Sequence, residues 1–273
     1  MKPIKHLFIG LLLVCMTLTS ALYAAPAKDY WNKWSNFDPV STQKISYPTW
    51  KNFLQKYSTK ENQQVFIKYA KVSKQDQSIL KKEIQKLSAL KITTYNRSEQ
   101  YAYWINLYNM ETVSLILKNY PVASITKIKS GYFGFGPWDE KLLTVEDTQL
   151  SLNDIEHRIL RPIWNDPRIH AAVNCASISC PNLLQAPFNA KTINQQLNKS
   201  FRAFINSPKG LTIKGETLEL SEIFKWYAVD FGNNNQDLKT FITYYLPSKA
   251  LQNKVLSADD ITYQKYNWDL NEI

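Results

Sequence analysis

The chemistry in this chain is concentrated in Arg168-Ile169-His170-Ala171-Ala172-Val173-Asn174-Cys175-Ala176-Ser177-Ile178-Ser179-Cys180-Pro181, which holds two of its three cysteines and one of its three histidines. A thiolate is the reactive form of cysteine, and an imidazole beside it lowers the thiol pKa and later returns a proton to the leaving group. Cys180 or Cys175 as nucleophile, with His170 as base, is therefore one chemistry the segment offers. A structural disulfide between Cys175 and Cys180 is a second. Thiol-disulfide exchange is a third, although the spacing is Cys-x-x-x-x-Cys rather than Cys-x-x-Cys and no helix clearly opens after the first cysteine. A zinc site from His157, His170, Cys175 and Cys180 is a fourth. It has enough ligands for a tetrahedral ion but lacks the usual pairwise spacing, and neither a metal nor a cofactor is expected. Read as a buried strand, Arg168 to Cys175 places His170, Ala172 and Asn174 on one face and Cys175 on the other. Cys180, after a small-residue turn, then folds back toward His170 more easily than Cys175 does.

A second constellation is Tyr103-Trp104-Ile105-Asn106-Leu107-Tyr108-Asn109, with Glu111 shortly after. Asn106 and Asn109 share a helix face in an otherwise apolar stretch, and buried amides require hydrogen-bond partners. Asn is a poor acid or base, so Asn106, Tyr108, Asn109 and Asn174 read as orienting or substrate-binding groups. The third constellation is Asp154, His157 and Arg161, at i, i+3 and i+7, with Glu156 beside them. A carboxylate next to His157 orients its ring, so Glu156 and His157 join the catalytic candidates and Arg161 the substrate-binding or orienting ones. An ordinary surface helix with weak ion pairs explains the same pattern. Gly131 to Trp138 is glycine-rich but has Pro137 after its last glycine and no Gly-Lys-Ser, so it reads as an aromatic loop rather than a phosphate cradle. No Gly-x-Ser-x-Gly elbow or His-Glu-x-x-His motif occurs.

These residues must be positioned by a fold. Lys2 and Lys5, an apolar run from Leu7 to Met16, and Ala21-Leu22-Tyr23-Ala24-Ala25 have the order of a secretory signal peptide, with cleavage expected near Ala24. Residues 1–24 are thus expected to be removed, leaving 25–273 as a single globular domain, with a helical part at 25–95 and a core at 96–273. A periplasmic or secreted location follows, with no transmembrane segment after the signal peptide. The formal charge is +10, two of it carried by Lys2 and Lys5. Lysines such as Lys81, Lys82, Lys86 and Lys91 read as solvated helix faces, and no nucleic-acid-binding motif is present, so nucleic acid is not an expected partner. A peptide or a cell-envelope component is.

Apolar spacing predicts helices over Tyr47 to Tyr57 and Asn62 to Leu90, and a central helix from Glu99 to Tyr120 that ends before Pro121. Ile125 to Phe135 reads as a strand and loop, Lys141 to Val145 as a short strand, and Ser151 to Leu160 as a helix capped by Ser151 or Asn153 and ended before Pro162. Gln195 to Phe204 reads as helix, Leu211 to Leu220 as a hairpin turning at Lys214-Gly215, and Ser221 to Phe224 as another helix start. The fold class is α+β, several helices packed on a small, mostly antiparallel sheet.

Tyr103 to Asn109, Asp154 to Arg161, His170 to Pro181, Trp226-Tyr227 with Asp230-Phe231, and Tyr266-Asn267-Trp268-Asp269-Leu270-Asn271 together resemble the family known as domain of unknown function 547, over roughly Glu99 to Asn271. The resemblance implies a domain type without an established reaction. It marks the Asn/Tyr helix, the Glu156-His157 pair and the His170 to Cys180 segment as defining positions. Asn267 departs from the acidic residue expected there. A central helix followed by strands bearing His is also similar in arrangement to papain and transglutaminase-like thiol enzymes. Those place the nucleophilic cysteine at the start of that helix, where Trp104 and Asn106 stand here. The functional expectation is a thiol-dependent hydrolase or transferase acting on an amide or ester. Its rival is a non-catalytic binding or structural module closed by a Cys175-Cys180 disulfide.

Overall fold

The structure is a computed structural model and describes residues 26–128 and 136–273. The centre of the fold is α3 (Arg97–Asn119), capped by Asn96, whose side chain accepts from the backbone N–H of Glu99. Every residue from Glu99 to Val113 is buried, so this helix is enclosed on all sides rather than amphipathic. The preceding helices are α1 (Pro48–Tyr57) and α2 (Lys74–Ser88), and α2 packs against both α1 and α3. The following ones are α4 (Arg161–Trp164), α5 (Ile193–Ile205), the single turns α6 (Ile223–Trp226) and α7 (Ala228–Phe231), α8 (Asn235–Thr243) and α9 (Lys249–Ser257).

The α+β class holds, with the strands divided among three small sheets. Strands β1 (Ser58–Glu61) and β2 (Gln64–Ile67) form one antiparallel hairpin, and β3 (Leu143–Val145) and β4 (Thr148–Leu150) another. The third sheet joins β5 (Leu211–Lys214) and β6 (Thr217–Leu220) in the expected hairpin, turning at Gly215 with φ of 60°, and adds β7 (Asp260–Tyr263) parallel to β6. One hydrophobic cluster surrounds α3; a second, rich in phenylalanine, gathers α5, the third sheet and α6 to α9, and Trp268 packs against both.

Four sequence expectations differ from what forms. The helix expected from Asn62 begins at Lys74, because Val65-Phe66-Ile67 pair as a strand across a turn whose two central residues, Asn62 and Gln63, both have positive φ. Such a turn matches strand twist and closes a two-residue hairpin. At Ile125 a 3-10 turn forms (Ile125–Lys127) instead of a strand, with the Ser124 hydroxyl accepting from the Thr126 N–H; Lys129 to Phe135 lie outside the described residues. Arg168 to Cys175 is not a strand either. Pro167 opens a 3-10 helix (Pro167–Ala171), and the Asp166 side chain accepts from the N–H of Arg168, a cap that local side-chain chemistry favours over extension. Finally, the helix starting near Ser151 does not stop at Pro162 but widens into a π-helix (Asp154–Leu160) and continues through α4.

No helix of the described residues is long and apolar enough to cross a membrane.

Candidate active site

The π-helix gathers three of the charged candidates. Its wider turn pairs residues five apart, with the N–H of Arg161 donating to the carbonyl of Glu156. Pro162 has no N–H, so with five-residue pairing the His157 carbonyl loses its helical donor where the π-helix passes into α4, and this turn takes donors from outside. The N-terminal segment supplies them: the N–H of Asp29 donates to His157 at 3.2 Å and that of Trp31 to Arg158 at 3.2 Å. Asp154, expected on the face of His157, instead caps the helix. Its carboxylate accepts from the N–H of Ser151 at 2.8 Å while the Ser151 hydroxyl accepts from the N–H of Asp154 at 3.1 Å, a reciprocal capping box. Asp154 also pairs with Lys141 and, at 3.2 Å, with Arg158.

Glu156, His157, Arg161 and His170 are all buried, which excludes the reading of this segment as an ordinary surface helix. Arg161 Nε donates to Asp230 Oδ2 at 2.7 Å, and its Nη1 lies 3.1 Å from His157 Nδ1 and donates to the Pro26 carbonyl at 2.5 Å. His170 Nε2 is 2.7 Å from the same Asp230 oxygen, and its Nδ1 is 3.7 Å from Glu156 Oε1. The His170 ring stacks on Tyr227 with centroids 3.9 Å apart, and the Tyr108 hydroxyl donates to Glu156 Oε2 at 3.1 Å. Lys28 closes the outer side, 3.0 Å from Asp230 Oδ1. Burial pushes the Glu156 carboxyl up, but His157, His170 and Arg161 outweigh it and hold it at about 2. Burial likewise opposes ionisation of Asp230, and His170, Arg161 and Lys28 hold it well below the usual carboxylate range. Burial, helped by the Arg161 cation, lowers His157. Two carboxylates thus ionise inside the protein because cationic partners surround them.

The cysteine loop is held by amides. Asn109 donates to the carbonyl of Ala172 at 2.8 Å and accepts from the N–H of Asn174 at 2.8 Å; Asn174 donates to the Pro181 carbonyl at 2.8 Å and accepts from the N–H of Ala176 at 2.9 Å. Asn106 performs the same two-sided clamp on Phe188, at 2.8 and 2.9 Å. These amides act as orienting groups. Ala176 has a φ of 58°, a left-handed conformation that costs a residue with a Cβ about 1 kcal/mol. The C-terminal segment braces it, with the N–H of Asn271 donating to the Ala176 carbonyl at 3.0 Å and Ile178 donating to Asp269 at 2.8 Å.

The result is a sharp turn that presents Cys175. Both thiols are free; Cys175 is partly exposed and Cys180 buried. Cys175 Sγ lies 3.2 Å from Ser177 Oγ and 3.3 Å from Tyr266 Oη, and its backbone N–H donates to Cys180 Sγ at 3.0 Å. Burial alone would raise the Cys175 thiol, but hydrogen bonds from Cys180, Ser177 and Tyr266 outweigh it and bring it to about 7. Burial pushes the Cys180 thiol well up. Lys209 donates to the Cys180 carbonyl at 2.5 Å and to Asn182 Oδ1 at 2.9 Å, pinning the far end of the loop. Among the described residues no cysteine sulfur hydrogen-bonds a histidine, and no group of three His, Cys, Asp or Glu side chains is arranged to hold a metal ion.

The structure therefore brings Glu156, His157, Arg161 and His170 into one buried network and sets Cys175 and Cys180 in a neighbouring loop, with Tyr108 and Asn109 on α3 supporting one each. Sequence reading picked out neither Ser177 and Tyr266 as thiol donors nor Lys28 and Lys209 as loop and network cations. Ser177 lies inside the cysteine segment and Tyr266 inside the closing aromatic motif, whereas Lys28 and Lys209 carried no sequence signal.

The α3 amides, the Glu156-His157 pair and the cysteine loop now have defined places. Residues 92–205 match the model of a family described as "Protein of unknown function, DUF547". This is the family that the motifs resemble. The DUF547 match contains α3, the π-helix, the cysteine loop and α5, whereas Asp230, Tyr227 and Tyr266 lie beyond it. No curated protein and no solved structure matches the chain, so the likeness to papain and transglutaminase-like enzymes rests on element order alone.

Proposed function

We propose that the protein is a thiol-dependent hydrolase or transferase acting on an amide or ester, with Cys175 rather than Cys180 as nucleophile. The observation that carries this reading is the thiol of the half-buried residue Cys175, which burial would raise but hydrogen bonds from Cys180, Ser177 and Tyr266 bring to a pKa of about 7. A thiol with that pKa is substantially ionised at neutral pH without a histidine in contact. Attack on the carbonyl forms an acyl-thioester and releases the amine or alcohol; water or a second acceptor then releases the acyl group. The proton that the thiol gives up to solvent on ionising is balanced by one that the departing amine or alcohol takes from water, while the Ser177 and Tyr266 hydroxyls hydrogen-bond the sulfur. His170, first assigned as base, has Nε2 on Asp230 and Nδ1 facing Glu156, and its role here is to position the floor of the site together with His157 and Arg161. Trp226, tilted against Tyr266 with ring centroids 4.7 Å apart, adds an apolar surface behind that thiol donor.

We infer export from the order of Lys2, Lys5, the apolar run and Ala21 to Ala25, and with it a periplasmic or secreted site of action on a peptide or cell-envelope component. In such an oxidising compartment the rival reading gains from the backbone contact that seats Cys180 Sγ against Cys175. Free-thiol titration of protein purified from the oxidising compartment, with mass spectrometry locating each label, separates the two. One cysteine labelled fast at pH 7 and identified as Cys175 supports the enzyme. No label until reductant is added establishes a disulfide and sinks the thiol enzyme.

A further inference from the structure

We propose that the groove between α2, α3 and β3, remote in sequence from the cysteine loop, binds an anionic amphiphile, its acyl chain along Leu80, Ile84 and Leu142 and its head group between Glu111 and the lysine rim. The groove encloses about 800 Å³, a volume in the range of small-molecule sites. Two features give it a chemical preference. Glu111 sits midway along α3, 9% exposed, and no group among the described residues hydrogen-bonds its carboxyl. Its carboxyl lines the groove, where a ligand that accepts its proton in a hydrogen bond becomes its partner. The rim carries Lys74 and Lys81 from α2 and Lys118 from α3, all exposed and uncommitted to any carboxylate in the described residues. That rim attracts a carboxylate or phosphate head and opposes an amine.

The groups facing Glu111 also determine a pH response. Burial raises its carboxyl to about 8, with Glu140, before β3, adding to the rise and Lys118 and Lys81 opposing it. At neutral pH Glu111 is therefore a neutral donor and the groove carries the positive charge of its lysines. Above that pKa it becomes a buried anion beside the ligand head.

The test is calorimetric titration of the full chain with dodecanoate, below its aggregation concentration, at pH 6.5 and pH 9. Saturable one-site binding is expected, roughly tenfold weaker at pH 9. Glu111→Gln should keep binding and lose most of that pH dependence, and K81E with K118E should weaken it roughly tenfold. Should Glu111→Gln fail to fold, S114W, which fills the groove from α3, must abolish binding while leaving Cys175 alkylation unchanged. Absence of saturable binding, insensitivity to the lysine reversals or to S114W, or tighter binding of dodecylamine than of dodecanoate would overturn the proposal.

Discussion

His170 is committed to Asp230, not to a cysteine: its Nε2 lies 2.7 Å from Asp230 Oδ2, the same oxygen that Arg161 holds at 2.7 Å. One buried carboxylate thus ties the 3-10 helix before the cysteine loop to the π-helix and to α7. The arrangement is a positioning network, and the reactivity of Cys175 must come from its own hydrogen-bond donors. Each part of that division can be measured.

Asp230 is the first. Its side chain is 3% exposed, and Asp230→Asn removes the carboxylate that Arg161 and His170 share in a dry interior, leaving Glu156 alone to balance them. Losing one member of a buried ion pair costs about 3–5 kcal/mol. Denaturant unfolding of the variant should show that loss; a change under about 1 kcal/mol would mean the network is not a stabilising unit.

Tyr266 is the second. Tyr266→Phe removes one of the donors that lower the Cys175 thiol, so the pKa read from the pH profile of iodoacetamide alkylation should rise. At pH 7 the alkylation rate should fall by roughly threefold to tenfold. An unchanged profile would show that the hydroxyl at 3.3 Å does not stabilise the thiolate.

Acid stability tests Glu156. Its folded pKa of about 2 lies below the usual 4.5, so the unfolded chain binds its proton first as pH falls. The stabilisation is fully present above pH 4.5 and is lost as pH drops toward 2, up to about 3 kcal/mol in all. Glu156→Gln should start less stable at pH 7 and show a flatter decline over that window. Equal slopes for the two proteins would remove Glu156 as the source.

Asn109 links the central helix to the loop. Asn109→Ala orphans the Ala172 carbonyl and the Asn174 N–H, each now bonded at 2.8 Å, at a cost of about 2–4 kcal/mol. Because the loop then loses its anchor, Cys175 alkylation should also lose its low-pH component. Destabilisation with an unaltered alkylation profile would confine Asn109 to folding alone.

Local rules and patterns already visible in the chain account for much of this architecture. The apolar fill of Glu99 to Val113 marked α3 as central, the asparagines at 106 and 109 marked it as an organiser, and alternation around Lys214-Gly215 marked the β5-β6 hairpin. The cysteine loop and the Glu156-His157 pair were legible as the chemical segments because such residues are rare in this chain. Periodicity failed where caps and tertiary donors compete with it. Asp166 and Pro167 turned an apparent strand into a 3-10 helix, Asn62-Gln63 turned an apparent helix into a hairpin, and Pro162 was carried inside a helix where Asp29 and Trp31 donate to the carbonyls of His157 and Arg158. Which thiol is acidified, and which carboxylate holds His170, depend on contacts between residues 60 to 91 positions apart. Sequence spacing carries no record of such contacts; only packing brings Tyr266 to Cys175 and Asp230 to His170, and those two approaches keep Cys175 apart from the buried histidine.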